Sequence, residues 1–146
     1  MAKIKELLQS RSGGIVRAGE DTTVLDATVK MNEAGVGSLV VTRDDGSVAG
    51  IFTERDVLRR VVAARKDPAT TKIGEIMSRQ VICCTGETTL DEARNIMMSR
   101  RIRHLPVIDD GQKLQGIISI GDLNAAAASR REVTIQYLEQ YIHGIT

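Results

Sequence analysis

The chain repeats one pattern of residues at a constant distance of 66 positions along its 146 residues. The threonine pair at 22–23 recurs at 88–89, and GIFTERD at 50–56 recurs as GIISIGD at 116–122. Both of the longer segments have Gly, two apolar residues, a hydroxyl residue, two free positions and Asp. Shared composition alone would not hold one register over this distance. The sequence therefore predicts two copies of one supersecondary unit.

Each copy predicts the same order of elements. A short helix comes first, and a brief apolar strand follows it. A second helix, with apolar residues at helical spacing, begins at a capping box formed by Thr23 with Asp26 or Thr89 with Glu92. Two strands around a DDG turn then lead into a last helix at the GIFTERD or GIISIGD segment. The predicted ranges of the first helix and first strand are 3–10 with Ile15-Val16, and 72–78 with Val81-Ile82-Cys83.

This order predicts a mixed α/β (α+β) fold. A sheet this small cannot bury both of its faces alone, so we expect the two copies to pack sheet to sheet. We place the first copy at residues 3–66, the second at 67–130 and a C-terminal helix at 131–146. The tail carries an apolar stripe flanked by Tyr137 and Tyr141, which fits packing on its own domain or a dimer interface equally well.

Composition excludes several classes of function. The net charge is +1 and aromatic residues make up only 2% of the chain, so neither a basic field nor a base-stacking surface is expected. No apolar run is long enough to cross a bilayer, and the first residues contain no signal-peptide core. We therefore expect a cytoplasmic protein that contacts no membrane, and nucleic-acid binding is disfavoured.

The chain offers no recognisable catalytic or metal site. Its two histidines, His104 and His143, are not accompanied by a nucleophile and base in any recognisable arrangement. Cys83 and Cys84 are neighbours, and without further spaced Cys or His they make no metal pattern. We expect a protein that is not an enzyme and has no obligatory cofactor.

The repeated segments have two interpretations. Thr53 with Asp56, and Ser119 with Asp122, match a capping box at a helix start, and that role alone explains both residue types. The same geometry suits a nucleotide, because a helix start favours a nearby anion and an ionised carboxylate accepts hydrogen bonds from the hydroxyls of a ribose. The sequence leaves both interpretations open.

The second copy adds a basic segment, RRIRHLPV, at residues 100–107. Charge at a helix end explains Arg100 and Arg101. Arg103 and His104 enter the strand, where alternation places them on opposite sides, so one of them is expected to face a pocket and meet phosphate. Pro106 cannot donate a strand hydrogen bond, which leaves a stretch of backbone edge for an adenine.

The two copies are not equivalent at these positions. The first copy has Gly37-Ser38 where the second has Arg103-His104, and Glu54-Arg55 where the second has Ile120-Gly121. The sequence therefore predicts two pockets of unequal affinity.

Together these motifs resemble a pair of cystathionine-β-synthase (CBS) domains, which form a Bateman module. The resemblance covers residues 3 to 130 and is strongest to stand-alone bacterial CBS-pair proteins. It implies a pseudo-twofold sandwich of two β-α-β-β-α repeats with two clefts between them. Such clefts bind adenosine compounds, namely AMP, ADP, ATP, S-adenosylmethionine and in some cases NAD. Such modules also dimerise into a flat disc.

Carried over residue by residue, the resemblance assigns the ribose to Thr53 and Asp56 in one cleft and to Ser119 and Asp122 in the other. The residues expected to frame adenine and phosphate are Ile15, Ile82, Cys83, Val36, Gly37, Ser38, Arg103, His104 and Pro106. Arg55 is expected to meet phosphate. Gly121 stands where the first copy has Arg55, so the Asp122 copy is expected to hold sugar equally well and phosphate less well.

We therefore predict a homodimeric regulatory module for signal transduction that senses adenine nucleotides and acts on an effector protein the sequence does not identify. The alternatives are a structural dimerisation module with empty clefts and, less favoured, a nucleic-acid-binding protein.

Overall fold

The computed structural model describes residues 2–10 and 15–128. The helices are α1 Ile4–Gln9, α2 Val24–Ala34, α3 Glu54–Asp56, α4 Ile73–Ile76, α5 Leu90–Arg100 and α6, described over 120–128. The strands are β1 Arg17–Ala18, β2 Ser38–Thr42, β3 Val48–Thr53, β4 His104–Ile108 and β5 Leu114–Ser119. A π-helix, Val57–Val62, directly continues α3. The predicted C-terminal helix at 131–146 lies outside the described residues.

The strands form two small sheets whose strand pairs recur at the spacing of the repeat. In the first sheet β1 pairs in parallel with β2, and β2 pairs antiparallel with β3, with Val40 opposite Ile51. In the second sheet β4 pairs antiparallel with β5, and Pro106 lies opposite Ile117. The two registers differ by 66 positions throughout. The mixed fold of two related units is therefore confirmed.

The predicted first strands need a correction. The ladder begins at Arg17 rather than at Ile15-Val16, and in the second copy Val81-Ile82-Cys83 is not a strand. Only Cys84 joins β4 there, donating from its N–H to the Pro106 carbonyl over 2.9 Å. In the first copy the Val40 N–H donates to the Val16 carbonyl over 3.2 Å. Pro106 occupies Val40's position and has no N–H, so the equivalent bond to Ile82 cannot form.

The two short helices are exchanged between the copies. Ile4 of α1 is fully buried in the core of the second copy, and its N–H donates to the Thr88 carbonyl over 2.8 Å. Ile73 of α4 is fully buried in the core of the first copy, and its N–H donates to the Thr22 carbonyl over 2.8 Å. The boundaries 3–66 and 67–130 remain a prediction. Helices α1 and α4 each pack on the core of the copy that lies on the other side of the predicted boundary.

Ion pairs also connect α1 and the residue before it to the second copy. Lys3 and Lys5 place their Nζ atoms 2.6 and 2.9 Å from the two carboxylate oxygens of Glu87. Hydrogen bonds from the two lysines and their charges lower the pKa of Glu87 to about 2.

The two long helices end alike, in the left-handed conformation. The residue after α2 is Gly35, with φ 68° and ψ 32°, and the residue after α5 is Arg101, with φ 55° and ψ 42°. Glycine adopts this conformation without strain, whereas the Cβ of any other residue crowds the backbone. Arg101 is therefore held in a backbone conformation that glycine would adopt at lower cost.

Candidate functional site: two clefts between the copies

Two clefts lie between the copies, each built from residues of both. One has a volume of about 400 Å³ and contains Ser119 and Asp122; we call it the Asp122 cleft. The other has a volume of about 320 Å³ and contains Thr53 and Asp56; we call it the Asp56 cleft. Both volumes fall in the lower part of the range that small-molecule sites occupy in proteins.

In the Asp56 cleft the repeated segment forms a capping box. The Thr53 N–H donates to Oδ2 of Asp56 over 2.9 Å, and the Asp56 N–H donates to the Thr53 hydroxyl over 3.4 Å. The other carboxylate oxygen, Oδ1, lies 3.7 Å from Nε of Arg60. Arg60 also donates to the Ile76 carbonyl over 2.9 Å, which links the Asp56 carboxylate to the exchanged helix α4.

The Asp122 cleft contains the same motif. The Ser119 N–H donates to Oδ2 of Asp122 over 2.8 Å, and the Asp122 N–H donates to the Ser119 hydroxyl over 3.0 Å. The capping interpretation is therefore confirmed in both copies. The cap occupies Oδ2 of each carboxylate, so it is compatible with ligand binding by the same acid.

Each cleft takes part of its wall from the copy that does not supply its repeated segment. Ile15, Val36 and Ser38 of the first copy line the Asp122 cleft, and Arg103 of the second copy lines the Asp56 cleft together with Arg55. Gly37 and His104 line both clefts. Alternation was expected to place only one of Arg103 and His104 at a pocket. Both reach one because Arg103 precedes β4, so strand alternation does not govern it.

The clefts differ in charge. Arg55, Arg101 and Arg103 line the Asp56 cleft beside the carboxylates of Glu54 and Asp56. Among the described residues that line the Asp122 cleft there is no arginine or lysine, and Asp122 is the only carboxylate. The Asp56 cleft is therefore cationic overall and the Asp122 cleft is anionic.

His104 lies between the charged groups of both clefts. Burial holds the pKa of its imidazole below the ordinary value of 6.5. The carboxylates of Asp122 and Glu54 oppose this shift, and the guanidinium groups of Arg103 and Arg55 add to it. The imidazole is therefore neutral at pH 7, with one nitrogen that donates and one that accepts.

Three predicted residues do not reach either cleft. Ile82 packs against the core of the second copy, and Cys83 lines a separate surface pocket. Pro106 is buried within β4, where its carbonyl accepts from the N–H of Cys84.

Cys84 is buried and Cys83 half-buried, and neither forms a disulfide. Burial raises the pKa of both thiols, that of Cys84 to about 12, so neither is a reactive thiolate near neutral pH.

Several lining residues were not predicted. They include Leu8, Gln115 and Gly116 in the Asp122 cleft, and Ser78, Glu54 and Arg101 in the Asp56 cleft. Leu8 lies on the exchanged helix α1, and Ser78 follows the exchanged helix α4. No local pattern places either residue at the opposite copy. Arg101 was assigned to a helix end. The signal that could have identified it is its alignment with Gly35, since both residues close a helix in the left-handed conformation.

No helix among the described residues is long and apolar enough to span a membrane.

Comparison with known proteins gives one consistent result. The family model for the CBS domain matches residues 5–63 and 73–129. A mitochondrial CBS domain-containing protein of Arabidopsis thaliana is 37% identical over 140 residues, which cover 93% of this chain and 68% of that protein. The crystal structure of a CBS-domain-containing protein from Agrobacterium tumefaciens is 35% identical, with a TM-score of 0.79 over 86% of this chain and 99% of that one.

A more distant structure shares the fold. The CBS domain pair of protein MJ0100, solved in complex with 5′-methylthioadenosine and S-adenosyl-L-methionine, is 23% identical. Its TM-score is 0.79 over 88% of this chain and 98% of that one, a likeness of fold alone. From the doubled family match, the two related sheets and the paired clefts, we conclude that the chain belongs to the CBS domain family and contains a tandem pair of these domains.

Proposed function

We propose that the protein is a regulatory module that binds adenosine-containing ligands in its two clefts and passes a change of shape or dimer packing to an effector protein. The observation that carries this proposal is the recurrence, in two clefts of about 400 and 320 Å³, of a carboxylate whose Oδ2 is held by a cap at the cleft wall. An ionised carboxylate held in this way accepts hydrogen bonds from vicinal hydroxyls, which a ribose supplies. The bound adenosine ligands of the MJ0100 domain pair support the choice of ligand class.

AMP, ADP, ATP, NAD and S-adenosylmethionine all carry the adenosine group that this site would recognise. The ligand is regulatory, so no cofactor is obligatory and no reaction is catalysed. The module would act in the cytoplasm.

Dimerisation is part of the proposal. Leu58 and Val62 on the π-helix are 63% and 64% exposed, and Met98 on α5 is 68% exposed. In the second copy Asn124 occupies the position of Leu58. Leu58 and Val62 lie four positions apart on the same short helix, and an exposed apolar patch favours association with a second copy of the chain.

The direct test is isothermal titration calorimetry of the intact protein with AMP, ATP, NAD and S-adenosylmethionine. We expect at least one of the four to bind. If none of them binds, the adenosine proposal is wrong, and a structural dimerisation module with empty clefts takes its place.

Asp122→Ala separates binding from capping. Loss of a cap costs about 1 kcal/mol of stability, whereas loss of a charge-assisted hydrogen bond to a hydroxyl costs about 1.5–3 kcal/mol of binding. We expect the variant to stay folded and to lose binding at one cleft. The matched control is Glu92→Ala, which removes the same kind of capping carboxylate from α5, away from both clefts. If Asp122→Ala lowers the melting temperature as Glu92→Ala does and leaves affinity unchanged, the acid is a cap only.

A further inference from the structure

We propose that the two clefts divide their ligands by charge, with the Asp56 cleft binding a nucleoside phosphate and the Asp122 cleft binding a nucleoside that carries no phosphate. This inference rests on the proposed function and specifies which ligand each cleft would take.

The first argument is the distribution of arginine. Among the described residues, the three arginines that line a cleft, Arg55, Arg101 and Arg103, all line the Asp56 cleft. None of the three forms an ion pair or a side-chain hydrogen bond with any part of the chain that the structure describes. A guanidinium group binds a phosphate through two parallel hydrogen bonds, so three such groups around one cleft suit a phosphate ester.

The second argument comes from the repeat itself. The position 66 residues from each of these arginines is a glycine. The three pairs are Arg55 with Gly121, Arg101 with Gly35, and Arg103 with Gly37. Where one cleft has three cationic side chains, the related positions of the other copy have no side chain at all. The two sites therefore share the frame that would hold ribose and differ in the groups that would hold phosphate.

The third argument is the backbone of Arg101. It lies in the left-handed region with φ 55°, at the place where Gly35 has φ 68°. Glycine is the residue that this conformation favours, so the arginine makes the chain less stable than a glycine would. Strain held by a residue in a cleft points to a use for its side chain, and here that side chain lines the cationic cleft.

The Asp122 cleft has the opposite character. Its walls carry the apolar side chains of Leu8, Ile15 and Val36, and its polar groups are mainly hydroxyl, amide and imidazole. Asp122, the one carboxylate among the described residues that line this cleft, repels a phosphate and accepts from hydroxyl groups. An uncharged nucleoside with an apolar 5′ substituent satisfies these groups.

The experiment compares AMP with adenosine by calorimetry in two single-cleft proteins. In Asp122→Ala, which keeps the Asp56 cleft, we expect AMP to bind about tenfold or more tightly than adenosine. In Asp56→Ala, which keeps the Asp122 cleft, we expect adenosine to bind at least as tightly as AMP. Because Asp56 is buried, Thr53→Val serves as a second variant if Asp56→Ala does not fold.

Arg101 and Arg100 form a matched pair. Both stand at the end of α5, and only Arg101 lines a cleft. We expect Arg101→Gln to weaken AMP binding about tenfold and to leave adenosine binding unchanged. Arg100→Gln removes the same charge from the same helix end and should change neither. Arg101→Gly should raise the melting temperature and weaken AMP binding. If Arg101 had a purely structural role, its replacement would not have these two opposite effects.

Gly121→Arg tests the proposal in the other direction. A Cβ at Gly121 would lie 3.5 Å from the Ser119 hydroxyl, an ordinary van der Waals contact. We expect it to strengthen AMP binding to the Asp122 cleft. Equal affinities for AMP and adenosine in both single-cleft proteins, or equal effects of Arg100→Gln and Arg101→Gln, would overturn the division of ligands. If wild-type protein binds neither adenosine nor AMP, the proposed function itself is wrong for these ligands.

Discussion

His104 is a single residue that lines both clefts, so its protonation state affects both. Burial lowers its pKa below 6.5 and keeps it neutral at pH 7. The unfolded chain, where the imidazole has its ordinary pKa, binds more protons than the fold once the pH falls to that value. Protonation therefore pulls the chain toward the unfolded state, and stability present above pH 6.5 is lost as the pH falls toward the depressed pKa.

We expect the free energy of unfolding of the wild-type protein to fall more between about pH 7.5 and about pH 5.5 than that of His104→Gln. Urea denaturation of both proteins at the two pH values measures this difference. The other histidine, His143, lies outside the described residues and is present in both proteins, so its contribution cancels. Parallel losses in the two proteins would show that His104 does not carry the dependence.

At the scale of elements, the exchanged helices explain the glycine that opens each repeated segment. Gly50 faces the end of α4, where an added Cβ would lie 2.6 Å from Sδ of Met77 and 2.7 Å from the Ser78 carbonyl oxygen. Gly116 faces α1, where an added Cβ would lie 2.7 Å from Cδ2 of Leu8. Both glycines admit a helix from the opposite copy, and neither lies at a positive φ.

An alanine at Gly50 and an alanine at Gly116 would displace different groups. The Ser78 backbone is held by two hydrogen bonds of 3.0 Å to Ile51, whereas the end of the half-buried Leu8 side chain can rotate. We expect Gly50→Ala to lower the free energy of unfolding by about 1–3 kcal/mol, the range for overpacked sites, and Gly116→Ala to lower it by less. Chemical denaturation of the two variants tests the order. Equal losses would show that Leu8 is as rigidly held as the Ser78 carbonyl.

At the scale of the whole molecule, the exchange of α1 and α4 makes each core depend on a helix that precedes the other copy. Ile4 and Ile73 are fully buried, and each side chain would leave a cavity if it were truncated. Ile4→Ala and Ile73→Ala are each expected to lower the free energy of unfolding by about 2–5 kcal/mol.

Hydrogen exchange distinguishes exchanged from local packing. We expect Ile4→Ala to accelerate amide exchange mainly in β4 and β5, and Ile73→Ala to accelerate it mainly in β2 and β3, as measured by mass spectrometry. Each variant is the control for the other. Faster exchange in β2 and β3 of Ile4→Ala, with β4 and β5 unchanged, would contradict the exchanged packing.

The repeat predicted most of the fold. Element order, the antiparallel strand pairs and the helix caps depend on residues close in sequence, so local patterns contain the information. The first strands were misplaced because their pairing depends on a distant partner. Val40 can donate to that strand and Pro106 cannot, a difference visible only once the strands are aligned side by side.

The site could be predicted in part. Thr53, Asp56, Ser119 and Asp122 lie in the clefts because a helix start places them there, and helix starts have a local signature. Ile82, Cys83 and Pro106 line neither cleft, because their placement depends on how the second sheet is completed. Arg101 was missed because its helix-end position explained its charge without reference to the cleft.

The number of units, their elements and the acids that start their last helices all follow from the sequence, because these features repeat at one spacing. The sequence does not show which copy each short helix packs on or which residues of the opposite copy lie beside each acid. The convergence of three arginines on one cleft also becomes visible only in the folded chain. These outcomes depend on contacts between residues far apart in the chain, which a local pattern cannot specify.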